Sequence, residues 1–462
     1  MSVVGAIMVP HPPIILPEIG RGEEKKIAAS DAAYRRAAAF AAALRPDTVV
    51  LSSPHAVMYA DWFHVSPGDG AQGDLRQFRA PQLRFRVRYD VSFTTALSEL
   101  AEQEGFPAGT LGERDPALDH GTMIPLSYLD RVYSEYRLVR IGLSGLPLSD
   151  HYRLGQLIAK TAEQLGRRVL FIGSGDLSHK LLAEGPYGFA PEGPEYDARV
   201  MDVMGRAAFD ELLDFDESFC EKAAECGHRS FCILAGALDG KRLETQTLSH
   251  EGTFGVGYGV CTYRVTGEDP DRRLLERWRE RRRQLLEAQR QREDPWVRLA
   301  RAEVEAWVRD RRRIEPPADL PEALYAQRAG VFVSLHKDGR LRGCIGTIQP
   351  TQSCVAEEIL RNAVSAASQD PRFSPVRADE LDALEISVDV LASPEPIRSK
   401  DELDVRRYGV IVSKGRKRGL LLPNLDGVDS VEQQISIALR KAGLSERETD
   451  YTLERFEVVR HV

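Results

Sequence analysis

Cysteine is scarce, with six in 462 residues and none in a C-x-x-C pair. That spacing excludes a disulfide scaffold and offers no structural zinc motif, so a reducing, cytoplasmic setting is expected. Long apolar runs are missing too. None approaches the roughly 18 residues that a membrane helix needs, and no membrane association is expected. The first 13 residues lack a basic stretch and hold three prolines, which reads as a strand rather than a signal peptide. Positive charge is not in excess. The 62 Lys and Arg face 70 Asp and Glu, a formal net charge of −8, so nothing pulls the whole chain toward nucleic acid. What remains is ordinary globular composition, 42% hydrophobic and 29% charged, long enough for two or three domains.

Histidine is unevenly spread. Eight of the ten fall in the first 250 residues, which marks that part as the chemical half. Over residues 1–265, apolar strand-like runs alternate with helical stretches. The strands are expected at Val3–Val9, Thr48–Ser52, Leu138–Leu143 and Val169–Gly173, with a late pair around Glu244–Leu248 and Val256–Val265. Helices are expected at Lys25–Leu44, Asp150–Leu165, Tyr196–Ala207 and Ser230–Leu238. An alanine-rich helix between the first two strands is the crossover of a βαβ unit, so this region is α/β with a mostly parallel central sheet.

Residues 266–294 read as an Arg- and Glu-rich helical linker. From Asp271 to Glu315 there are fifteen arginines, ten acids and no lysine, a net of +5. Interleaved signs predict a solvated spacer laced with i,i+4 pairs, with no apolar stripe wide enough to join the first core. Residues 295–462 form an α+β region. Trp296 to Val308 carries an apolar face at helical spacing. Strands are expected at Gly330–His336, Leu341–Ile348, Leu384–Leu391, Val410–Ser413 and Leu420–Leu422, and helices at Val355–Ala366 and Val431–Ala442. The run Lys414 to Gly419 reads as a basic hairpin loop.

His11, His55 and His179 each sit just past an expected strand. In an open parallel sheet such positions converge on one edge, where ligands bind. Three histidines there point to a metal or acid/base site, since neutral imidazole suits iron, zinc or copper. A third ligand would come from elsewhere, and Glu225 lies before an apolar helix. The other histidines read as structural: His64 and His151 at the surface or a helix start, His228 bonded to backbone, His250 in a turn.

These motifs carry a resemblance. Val9-Pro10-His11-Pro12-Pro13, Ser53-Pro54-His55, Asp119-His120-Gly121-Thr122, Gly175-Asp176-Leu177-Ser178-His179 and Glu225 together resemble the class III extradiol ring-cleavage dioxygenases, the LigB-like superfamily. Leu341-Arg342-Gly343-Cys344-Ile345-Gly346-Thr347, followed by Asn362-Ala363 and Asp370-Pro371-Arg372-Phe373, resembles the AMMECR domain. The pair resembles the fused proteins of the AmmeMemoRadiSam system. The resemblance implies an Fe(II)-dependent dioxygenase acting on a catechol-like or vicinal-diol substrate with dioxygen. It implies His11 and His55 as metal ligands with Glu225 as the carboxylate, His179 as acid/base, and His120 as the residue facing substrate or oxygen. Asp176 and the pair Cys226-Gly227 resemble the Memo branch instead. The third ligand is therefore Glu225 or Cys226, and a thiolate would favour another divalent metal or copper. The alternative function is a metal-binding accessory protein, without ring cleavage, working with a radical-SAM partner. Cys344, flanked by glycines and next to Arg342, is either a reactive thiol or a packed strand cysteine.

Overall fold

Strand β1 (Val3–Val9) is buried along its whole length, so it reads as an unbroken apolar run rather than an alternating one. It lies near the middle of a six-stranded sheet with β2 (Thr48–Ser53), β3 (Arg137–Gly142), β4 (Val169–Ser174), β5 (Lys241–Glu251) and β6 (Tyr258–Glu268). The order is β3-β2-β4-β1-β6-β5. The first four strands are parallel; β6 runs antiparallel to β1, and β5 to β6. The structure is a computed structural model that describes residues 2–114, 117–425 and 427–462. The chain divides into two compact units, one ending at Glu280 and one from Arg281 to Val462.

Alternate residues of β1 serve opposite faces. Val3, Ala6 and Met8 join a core with Leu154 and Ile158 of α3 (Leu148–Gln164), Val200 and Met204 of α4 (Glu192–Arg206), and Phe231 and Leu234 of α5 (His228–Ala237). Val4, Ile7 and Val9 join a second core with Tyr34, Ala37 and Ala41 of α1 (Ala28–Ala43) and Met123 and Ile124 of α2 (His120–Leu129). Helices thus cover both faces, as a parallel sheet requires. The paired registers Val9↔Ser174 and Ser52↔Gly173 bring the ends of β1, β4 and β2 to one edge. The expected crossover helix α1 is present. β1 and β2 are not neighbours, however, because β4 is inserted between them and pairs with both.

Residues beyond 265 correct the spacer reading. β6 continues to Glu268, and α6 (Leu274–Arg292) buries Leu274, Leu275 and Trp278 in the first unit's core. The Trp278 indole N–H donates to Asp214 at 2.8 Å. Three apolar residues in five suffice to fix a helix start even when arginines surround them. The later arginines belong to the second unit: Arg282 pairs with Glu385, and Arg290 donates to the Leu381 carbonyl at 2.7 Å.

The second unit is α+β. One antiparallel sheet has β7 (Val331–Lys337), β8 (Arg340–Gly346), β9 (Leu384–Leu391) and a C-terminal strand Val458–His461 in the order β8-β7-β9-C-terminal strand. The helices Pro295–Asp310 and Val355–Ser368 supply its core with Val297, Val304, Ile359 and Ala363. A second sheet contains Gly409–Lys414 and Lys417–Leu421. The basic loop therefore shrinks to Gly415-Arg416, with Gly415 at φ 59°, and Lys417 and Arg418 become strand residues.

Candidate metal centre

His11 follows β1 directly. Its place is set from three sides: the Tyr34 hydroxyl donates to the Pro10 carbonyl (2.7 Å), the His11 backbone N–H donates to Asp176 Oδ1 (2.8 Å), and His11 Nδ1 lies 3.0 Å from Ser174 Oγ. The Ser174 hydroxyl spends its one proton on the Gly121 carbonyl at 2.6 Å. It therefore accepts from His11 Nδ1–H, which leaves the lone pair on Nε2. That nitrogen lies 3.0 Å from His55 Nε2 and 3.6 Å from Cys226 Sγ. The ligand atoms of His11, His55 and Cys226 all lie within 4.8 Å of one another. Nitrogen ligands sit about 2.0 Å, and thiolate sulfur about 2.3 Å, from a bound zinc-like ion, so this spacing suits one shared ion.

Two glycines allow the third residue in. A Cβ on Gly175 would stand 2.1 Å from the Gly227 Cα, so the loop bearing Cys226 closes on the loop after β4 only with bare backbone on both sides. The Asp176 N–H then donates to Cys226 Sγ at 3.3 Å. Glu225 stands outside the cluster. Its Oε2 accepts the His228 N–H at 2.6 Å at the start of α5, and the cluster's thiol comes from the next residue. Of the two alternatives for a third ligand, the geometry groups Cys226 with the histidines and uses Glu225 as a helix-start acceptor.

His120 begins α2 behind the N-cap Asp119, whose carboxylate accepts from the Thr122 N–H and Oγ, the Ser53 hydroxyl and the Arg140 guanidinium. Arg140 and Asp119 are a buried pair, 1% and 9% exposed at their side chains. The His120 ring lies 4.0 Å from that of His55 and 5.3 Å from Phe78. Among the described residues His179 Nε2 is buried with no hydrogen-bond partner, and its ring is 5.1 Å from Tyr187. The sequence motifs contained Asp119 without revealing its role, and Ser174 fell between an expected strand and the motif that begins at Gly175. The signal for Asp119 was the Asp-x-x-Thr spacing of an N-cap. Arg140 carried none, lying inside a strand.

Burial governs the protonation of this pocket. It lowers His11 and His120 to about 3, aided by the neighbouring His55, and lowers His55 and His179 as well. Neutral imidazoles with free lone pairs are the form that binds metal. Asp176 is pushed up to about 6 by burial, and the Cys226 thiol is pushed up too, so a cation is what would ionise it.

Four histidines differ from the structural roles expected of them or define those roles more closely. His64 and His151 are buried, the latter at the start of α3 with Nδ1 on the Pro147 carbonyl. His250 lies on β5 and pairs with Asp197 at 2.9 Å. His228 donates from Nε2 to the Leu212 carbonyl at 2.9 Å, and burial lowers it to about 4. The unfolded chain binds that proton near pH 6.5. This contribution is therefore fully present above about pH 6.5 and lost as pH falls to about 4, at a cost of about 3 kcal/mol. His11 and His120 add the same sign. Asp176 and Glu225, each raised to about 6, add the opposite sign through smaller shifts. The chelator-treated chain should therefore lose urea resistance between pH 7 and pH 4.5. A midpoint that stays constant contradicts this assignment.

Cys344 lies on β8, half-buried. The Ser334 hydroxyl donates to its sulfur at 3.2 Å, and its N–H donates to Asp370 at 2.9 Å. Arg342 turns to Glu380 instead, with Nη2 at 2.9 Å from that carboxylate. The flanking positive charge read from the sequence is thus engaged elsewhere; Arg372 reaches the Cys344 carbonyl at 3.2 Å. Cys220, Cys232, Cys261 and Cys354 are buried. A thiol reagent applied to the folded chain should modify at most Cys226 and Cys344, and Cys344→Ser should remove one equivalent. If labelling of Cys344 waits for denaturant, it is a packing residue.

The family of the catalytic LigB subunit of aromatic ring-opening dioxygenase matches residues 5–261, and the AMMECR1 family matches residues 297–461. Protein CA_C1420 of Clostridium acetobutylicum is 40% identical across the whole of this chain and 99% of its own length. A protein of Thermotoga maritima is 56% identical over 149 residues, 32% of this chain and 86% of that relative. A solved structure, protein PH0010 of Pyrococcus horikoshii, is 34% identical over 36% of this chain and 88% of its own, with a TM-score of 0.34. Among the described residues, no helix is long and apolar enough to cross a membrane.

Proposed function

We propose that this chain, which belongs to the LigB family through residues 5–261 and carries an AMMECR1 domain after it, is a metal-dependent oxidoreductase of the extradiol type. The carrying observation is the convergence of His11, His55 and Cys226 donors within 4.8 Å, together with a His179 Nε2 that is buried and unpaired among the described residues. These three residues would hold one ion, Fe(II) or another divalent metal or copper. A bound ion would polarise the oxygens of a catechol-like or vicinal-diol substrate and provide the redox partner for dioxygen.

The chain's own residues do the rest. His179, kept neutral by burial, accepts a hydroxyl proton at Nε2. His120, at the start of α2 behind the Asp119–Arg140 pair and with its ring 4.0 Å from that of His55, would steady negative charge on the substrate. Asp176 holds the His11 backbone and the Cys226 sulfur in place through its carboxylate and its N–H.

The thiol favours a second reading. A soft ligand in place of the carboxylate suits a metal-binding accessory role without ring cleavage, in partnership with a radical-SAM protein. Anaerobic loading with Fe(II), followed by oxygen-uptake measurement with a panel of catechols, separates the two. One metal per chain with oxygen consumed and an opened-ring product supports the enzyme. One metal per chain with no uptake across the panel supports the accessory role.

A further inference from the structure

The Arg-rich stretch that reads as a solvated spacer walls a cavity. Within the second unit, a cavity of about 520 Å³ is bounded by the last turns of α6, the ends of β7 and β9, and the C-terminal strand. That volume falls in the range of small-molecule sites, about 300–1,000 Å³. Part of its lining is apolar: Leu286, Leu384, Ile386 and Val462. Four arginines and one histidine share the lining with two glutamates.

The charges do not cancel within this wall. Glu293 is consumed by Arg301, which reaches it from Nε at 2.9 Å, and Glu385 by Arg282. Arg460 is engaged by Asp389 at 2.8 Å. Arg290 donates one terminal nitrogen to a carbonyl and the other lies 3.7 Å from Asp382, but its Nε is buried with no hydrogen-bond partner among the described residues. Arg292 lines the same cavity, and among the described residues its side chain makes no hydrogen bond or ion pair. Both acids of the wall are thus neutralised by guanidinium groups, while Arg292 keeps its positive charge unmatched and Arg290 Nε keeps a donor to spare. A buried, unmatched N–H costs free energy unless a ligand or water meets it.

We propose that this cavity binds a small organic anion, a carboxylate, sulfonate or phosphate ester with an apolar body. Its charged end would meet Arg292 and Arg290 Nε, and its body would lie against Leu286, Leu384 and Ile386. Arginine's planar fork is the group best matched to such an oxyanion, and the apolar floor rewards a ligand larger than a free inorganic ion. The site lies entirely within the second unit and does not depend on the metal centre.

Titration of the full chain with 8-anilinonaphthalene-1-sulfonate tests this. The expected result is one saturable site whose dissociation constant rises about tenfold or more in Arg292→Glu, with N-phenyl-1-naphthylamine, the uncharged analogue, binding at least tenfold more weakly than the sulfonate. Ser387→Trp, which fills the cavity, should remove the site. Arg292 is exposed, so its variant folds even if the tryptophan variant does not. Circular dichroism of both checks the fold. An Arg292→Glu chain that binds the dye unchanged, or a neutral analogue that binds equally well, overturns the proposal.

Discussion

Replacing His179 by alanine should leave metal content unchanged and cut turnover of any accepted diol by about 10²–10⁴, the usual worth of a positioned acid/base group. The reason lies in what His179 does not touch. Its Nε2 is buried and has no partner among the described residues, whereas His11 and His55 are drawn together at 3.0 Å and His228 is tied at both nitrogens. A buried nitrogen left unpaired by the fold is costly unless substrate completes it. Burial also lowers the imidazole, so at neutral pH it is a base with a free lone pair. The metal donors do not include it, and the alanine variant should therefore retain the ion. Metal analysis and turnover, measured on the same preparation, give the two readouts. Loss of metal would make His179 a ligand; unchanged turnover would remove it from the chemistry.

The parallel strands were legible in the sequence because they are buried on both faces and their runs are mostly apolar, with Arg140 of β3 the charged interruption. Val3–Val9 is identical in both readings, and β2 and β4 each gain one residue, Ser53 and Ser174. Those two serines are instructive. They end the strands as polar residues, so apolar patterning stops before them, yet Ser53 holds Asp119 and Ser174 fixes the His11 tautomer. The hairpin Gly70–Leu75 with Ala80–Arg88 escaped notice because its outward residues are polar and its arginines mask the alternation. The placement of His11 and His55 after strands did bring the two rings together at one edge. The spacing of Glu225 and Cys226 could not decide between them, since adjacent residues in a tight loop point in different directions and only tertiary contacts select one. Likewise, the start of α6 was hidden because a few apolar residues among many arginines resemble a solvated helix until the surface that receives Leu274 and Trp278 is known.

Substitution of the adjacent residues should give opposite outcomes. Cys226→Ser should weaken metal binding by more than the 10–100-fold typical of losing an outer-shell partner, because it removes a donor rather than a support. Glu225→Gln should retain the metal. The glutamine oxygen can still accept the His228 N–H that Glu225 now receives at 2.6 Å, and the lost charge at the start of α5 is worth about 1 kcal/mol of stability or less. Serine keeps the shape of cysteine, but its hydroxyl does not ionise to a soft anion near neutral pH, so the pair His11 and His55 would hold the ion alone. Competition against a chromophoric chelator, with a soft and a hard metal compared, measures both variants. The loss in Cys226→Ser should be larger for the soft ion, since thiolate affinity is what is removed. If Glu225→Gln instead releases the metal while Cys226→Ser keeps it, the loop must rearrange on binding, and the centre becomes the two-histidine, one-carboxylate type that ring cleavage ordinarily uses.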